Sequence, residues 1–173
     1  MKKVILLLFV VIFLASACGA SPRETAKDFA SYLPLETESW EQQDNRTIQL
    51  RQNTVTSMGH VTLEYEGPDD AIAWVVIEAH PSTDAADVAY AKRQRDLLMQ
   101  GLEFEDSRAG TQVKAEIAQK DRATWALFIS EDVVVEVDFL AGSEDALVSE
   151  DRVEELLQAV RDAYDKIEGK KVK

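Results

Sequence analysis

The chain has 173 residues, with 32 acidic side chains against 19 basic ones, a formal net charge of −13, and a single cysteine. That balance argues against nucleic acid as a partner, because binding a phosphate backbone requires a basic surface. One cysteine excludes an internal disulfide framework and a thiolate metal site, so an ordinary apolar core has to hold the fold.

Met1-Lys2-Lys3 is a short positive segment, and residues 4–14 form an unbroken apolar run of the length found in export signals. The run is too short for a membrane span, which needs about 20 apolar residues. Small residues follow at Ala15-Ser16-Ala17, and then comes Cys18. This stretch resembles the signal peptide and lipobox of bacterial lipoproteins. The resemblance implies cleavage before Cys18, a diacylglyceryl group on its sulfur and an acyl chain such as palmitate on its freed amine. It departs from the family pattern at Ala15, where a Leu-like residue is usual; Leu14 stands one step further back. Read without the resemblance, Ala15-x-Ala17 also suits an ordinary secretory cleavage that leaves Cys18 as a free thiol. Residue 19 is Gly and not Asp, so the resemblance implies the outer membrane in a Gram-negative host and the outer face of the cell membrane in a Gram-positive one.

Processing divides the chain into a signal peptide (1–17), a lipidated cysteine with a short tether (18–21), one domain (22–168) and a basic tail (169–173). The signal takes Lys2 and Lys3 with it, leaving 17 basic side chains against 32 acidic, a net of −15. Anionic lipid repels such a domain. Acyl chains contribute about 0.8 kcal/mol per buried methylene, so two or three of them anchor it unaided.

Ser21-Pro22-Arg23-Glu24 reads as a capping box with Pro at the first helical position, opening a short helix that Pro34 stops. Ala26, Phe29, Ala30 and Leu33 share one face. At about 3.6 Å per extended residue the tether spans on the order of 10–15 Å, which holds the domain near its membrane with Arg23 and Lys27 close to the headgroups.

From Trp40 the period changes to two. Ile48 and Leu50, then Val61, Leu63 and Tyr65, alternate with polar residues as strands wet on one face do. Gly67-Pro68-Asp69-Asp70 is a turn, and 71–79 is apolar on both faces, hence central. Residues 82–100 read as a helix whose apolar arc is Ala86, Tyr90, Ala91, Leu97 and Leu98. Strands follow at 102–107, 111–119, 122–130 and 133–140, with tight turns at Lys120-Asp121 and Glu131-Asp132. Ser149 caps a last helix with the stripe Val153, Leu156, Val160, Ala163, Tyr164 and Ile167. The order α-βββ-α-ββββ-α predicts an α+β domain with a mainly antiparallel sheet of about seven strands and helices packed on it. In outline it is similar to small exported sandwich domains such as the PsbP-like group.

Chemistry is sparse in the sequence. His60 and His80 stand at strand ends with nothing to pair them, so no catalytic residue is assigned. Glu136 and Asp138 fall on one side of a strand, where paired carboxylates could do acid–base work or form a wet face with a cross-strand partner such as Lys114. Asp69-Asp70 and Glu131-Asp132 are turns without the alternating acids of a calcium loop, and no metal or cofactor is expected beyond the lipid on Cys18. Tyr65, Trp74, Trp125 and Phe128 could line a ligand cleft or be core. Lys92, Arg93 and Arg95 form a basic cluster that could dock a partner or be an outer helix face.

These features point to a membrane-anchored, non-catalytic binding or interaction module of the cell envelope. Its partner would be an envelope protein or a small ligand. The rivals are a carboxylate-dependent envelope hydrolase and an accessory subunit of a larger envelope complex.

Overall fold

The computed structural model describes residues 20–44, 47–53, 56–106, 114–143 and 146–171; the signal segment and Cys18 lie outside them. Helix α1 (Pro22–Tyr32) begins on the capping box expected from the sequence. The Glu24 N–H donates to Ser21 Oγ at 3.3 Å, and the Ser21 N–H donates back to the Glu24 carboxylate at 3.1 Å. Two of the orphan N–H groups of the helix start are thereby satisfied.

The strands are β1 (Glu41–Gln42), β2 (Thr47–Asn53), β3 (Thr56–Glu66), β4 (Ile72–Ala79), β5 (Glu105–Asp106), β6 (Lys114–Lys120), β7 (Ala123–Ser130) and β8 (Val133–Leu140). They form one antiparallel sheet in the order β1-β3-β4-β8-β7-β6-β5, with β2 also on the outer edge of β3. Six of the strands are seven residues or longer and two are two-residue edge pieces, which matches the α+β class and the expected order. Two-residue turns close β6–β7 and β7–β8, and each places a non-glycine residue in the left-handed region, Asp121 at φ 54° and Glu131 at φ 48°. Asp121 suits that conformation because its short polar side chain can hydrogen-bond locally. Of the strand expected at 102–107, Glu105–Asp106 is strand and 102–104 is not, and residue 107 lies outside the described residues.

Alternation along the strands sorts side chains to two faces. On one lie Val61, Leu63 and Tyr65 of β3, Val75 and Ile77 of β4, Phe128 of β7 and Val135, Val137 and Phe139 of β8. This face is covered by α1 and by helix α3 (Glu150–Lys171), whose expected stripe from Val153 to Ile167 is buried throughout. Phe29 of α1 meets Tyr164 of α3 edge-on, ring centroids 4.7 Å apart. The segment between α1 and β1 is tied down by side chains: Tyr65 donates to Pro34 O at 2.9 Å and Trp40 Nε1 to Arg152 O at 2.9 Å. Gly59 lets the start of α1 sit directly on β3, since a Cβ there would lie 2.0 Å from Pro22 O. The helical backbone of α3 continues through Gly169 to Lys171.

Helix α2 (Thr83–Met99) lies on the opposite face, over β7 and β8 and, at Leu97, against Ala118 of β6. Its Ser82 cap accepts from Ala85 N–H at 3.3 Å. Ala86 and Tyr90 pack on Leu127, Ile129 and Val134, while Leu97 packs with Leu102 and Ala118. Ala91 and Leu98, expected in the apolar arc, are exposed. Among the described residues no helix covers the β3–β4 half of this face, and that asymmetry opens a cleft.

Candidate functional site

The inward line of α2 is Ala86, Tyr90, Arg93 and Leu97, one side chain per turn. Arg93 thus occupies a slot that an apolar residue would ordinarily fill, and it points at the sheet. Beneath it, β8 presents Val134, Glu136 and Asp138 to the same side, because Val135, Val137 and Phe139 are committed to the opposite core. Arg93 Nε donates to Glu136 Oε2 at 2.5 Å, and its Nη2 donates to Glu136 Oε1. Glu136 is 7% exposed, so this is a charge pair of the bidentate kind that holds a buried carboxylate in place. The pair raises Arg93 further above its ordinary range, chiefly through the hydrogen bond to Glu136 and against the effect of burial.

Between α2 and the open half of the sheet lies a cleft of about 580 Å³. Its floor is built from Met58 and His60 on β3, Val76 and Glu78 on β4, and Val134, Glu136 and Asp138 on β8; its wall is the α2 side carrying Val88, Lys92, Arg93 and Asp96. The volume falls in the range of small-molecule sites, which run from about 300 to 1,000 Å³.

Two groups of titratable side chains converge there. At one end Glu78 lies between the histidines, Oε1 at 3.4 Å from His60 Nδ1 and Oε2 at 3.8 Å from His80 Nε2. The β3–β4 register explains this, since His60 sits directly opposite Glu78 and His80 follows the strand's last residue. Burial holds His80 below the ordinary histidine range, against the pull of Glu78 and Asp132. At the other end Asp138 is pushed up to about 8, first by burial, then by the like charge of Glu136 and the hydrogen bond between them, with Arg93 opposing. Register places Asp138 directly opposite Trp74 on β4 and Trp125 on β7, so it has an indole-bearing position on each side.

The structure redistributes the residues singled out in the sequence. Tyr65 and Phe128 are buried in the α1–α3 core, whereas Trp74 and Trp125 belong to the other face, so the four do not line one cleft. Trp74 Nε1 donates to Glu64 Oε2 at 3.0 Å. The basic cluster also divides: Arg93 faces the sheet, Lys92 pairs with Asp96 at 2.6 Å along the helix, and Arg95 is exposed. Lys114 is opposite Ile129 and lies in the row of Val134, so it is not the cross-strand partner of Glu136 or Asp138; Arg93 takes that part from above. His60 and His80, which the sequence left unpaired, meet at Glu78. Among the described residues no three His, Cys, Asp or Glu side chains converge as metal ligands.

No protein-family model and no curated protein matches the chain. The fold is similar to the crystal structure of the extracellular domain of PknH from Mycobacterium tuberculosis, with a TM-score of 0.50 over 83% of this chain and 96% of that one, at 10% identity. At that identity the likeness is one of fold.

Proposed function

We propose that this chain is an exported lipoprotein, held at a membrane by lipid on Cys18, and that its domain is a non-catalytic binding module of the cell envelope. The α2–sheet cleft receives the ligand. The observation that carries this reading is the cleft itself: a concavity of about 580 Å³ whose lining brings together His60, His80, Glu78 and Asp138, with Asp138 Oδ1 buried and without a hydrogen-bond partner. Export is supported by the lipobox-like Ser16-Ala17-Cys18 and by the likeness to a domain described as extracellular.

The test uses the full chain purified from membranes in a nonionic detergent and offered envelope extracts, with retained proteins and small molecules identified by mass spectrometry. A companion variant, Val88→Arg, fills the cleft from an exposed position on α2. Retention that the variant abolishes is expected; no retention, or retention that the variant leaves unchanged, removes the reading. Cys18→Ser is expected to release the exported protein from the membrane fraction, and continued membrane association with incorporation of a palmitate analogue in that variant would overturn the anchor.

A hydrolytic reading is favoured by one specific observation, the presence of Glu136 and Asp138 in the same cleft as His60 and His80. A carboxyl that keeps its proton near neutrality suits a general acid. Against this, both oxygens of Glu136 are engaged by Arg93, which leaves no free carboxylate beside Asp138 to act as base. Turnover of ester, amide or glycoside substrates that is lost in Asp138→Asn would establish the hydrolase in place of the binding module.

A further inference from the structure

Among the described residues, buried side-chain atoms without a hydrogen-bond partner include His60 Nδ1, His80 Nε2 and Asp138 Oδ1, and all three residues border the one cleft. His80 is only 5% exposed. Buried polar atoms are almost always paired in folded proteins. His60 Nδ1 and His80 Nε2 face Glu78 across 3.4 and 3.8 Å, so Asp138 Oδ1 is the atom at this opening for a ligand to complete.

The charges decide what kind of ligand. Four acids line the cleft, Glu78, Asp96, Glu136 and Asp138, against two strong bases, Lys92 and Arg93. Both bases are already engaged, Lys92 with Asp96 and Arg93 with Glu136. These two pairs offset each other, and the excess lies with Glu78 and with Asp138 once it ionises, so the cleft of this acidic protein favours a cation over an anion. The remaining lining is apolar, with Met58, Val76, Val88 and Val134 offering a surface for a hydrocarbon body.

We propose that the cleft binds an organic cation, an ammonium or amidinium group carried on an apolar body, with the charged head against Asp138 and the body along Val76, Val88 and Val134. The inference rests on the binding-module reading and names its ligand class.

Glu136 on its own strand and Arg93 from α2 act directly on Asp138; the other titratable groups lining the cleft are Lys92 and Asp96 from α2, Glu78 and His80 from β4 and its end, and His60 from β3. In the free protein burial and Glu136 keep the Asp138 proton on up to about 8. A cation seated beside that carboxyl favours its ionised form. The carboxyl O–H bond breaks, its electron pair stays on Asp138, and the proton leaves to solvent as the cation takes its place. Affinity then falls roughly tenfold for each pH unit below about 8 and levels above it.

The experiment is calorimetric titration of the full chain in nonionic detergent with three probes of one shape: phenethylammonium, phenylacetate and phenethyl alcohol. Titrations at pH 6.5, 7.5 and 8.5, and in two buffers of different ionisation enthalpy, count the protons released. Phenethylammonium is expected to bind at least about tenfold tighter than the other two, with close to one proton released near neutral pH. Asp138→Asn, shown to be folded by thermal unfolding, is expected to lose about tenfold or more in affinity and all of the pH dependence. Equal or tighter binding of the anion or the alcohol overturns the cation assignment while leaving a ligand cleft in place. Cation binding that Asp138→Asn leaves unchanged overturns the placement of the charged head. No binding of any probe overturns the proposal, and only if the envelope pull-down is also empty does the binding-module reading fall with it.

Discussion

Arg93 reaches from the inward line of α2 to clasp both oxygens of Glu136 on β8, so one ion pair pins the helix over its half of the sheet. Removing the guanidinium in Arg93→Met would strand a carboxylate that is 7% exposed. Breaking a fully buried pair from one side costs about 3–5 kcal/mol, and the partial exposure of Arg93 lowers the expected loss to about 2–3 kcal/mol. Urea denaturation of the single variant and of Arg93→Met/Glu136→Gln checks this. The double variant is expected to recover more than half of the loss, because the stranded charge has gone.

Asp138 makes stability depend on pH in an unusual direction. Its folded carboxyl keeps the proton up to about 8, while the unfolded one releases it near 3.8. Between those values the native state holds the extra proton, so this group's contribution to stability falls as pH rises through the window and levels off above it. Asp138→Asn should remove that slope and be more stable than the parent above pH 8, by on the order of 2–5 kcal/mol. Urea midpoints of both proteins at pH 5, 7 and 9 decide the matter. A gap that shrinks or stays constant toward pH 9 would contradict it.

Gly59 is where α1 touches the sheet. A methyl group in Gly59→Ala would sit 2.0 Å from Pro22 O and 2.7 Å from Arg23 Cα, both backbone atoms that cannot swing aside. Either α1 lifts or β3 bends, at about 1–3 kcal/mol for overpacking of this kind. Thermal unfolding measures the loss. Amide exchange in α1 should rise more than exchange in β7 and β8.

Phe29 supplies the contact that locks α1 to α3, fully buried and edge-on to Tyr164. Phe29→Ala is expected to lose about 3–5 kcal/mol. It lies on the face of the sheet opposite the cleft, so ligand binding measured in conditions where the variant stays folded should be unchanged. A loss of affinity there would mean that the two faces are coupled.

The capping box at Ser21, the two-residue periodicity of the strands and the unbroken stripe from Val153 to Ile167 were all legible in the chain, because each is a local pattern of spacing and residue type. The same periodicity put Glu136 and Asp138 on one side of β8. It could not say what covers that side. Tyr65 and Trp125 looked alike as strand aromatics, yet one is core beneath α1 and α3 and the other lies on the α2 face.

One sign of the site was present in the sequence: Arg93 stands in line with Ala86, Tyr90 and Leu97, a charge where the inward stripe calls for an apolar residue. Its partner, 43 positions away, was not readable from spacing. Periodicity assigns residues to faces one element at a time. The pairing of β4 with β8, and the docking of α2 over the β6–β8 side of the sheet, are long-range choices made by how the buried faces fit together, and they create the cleft.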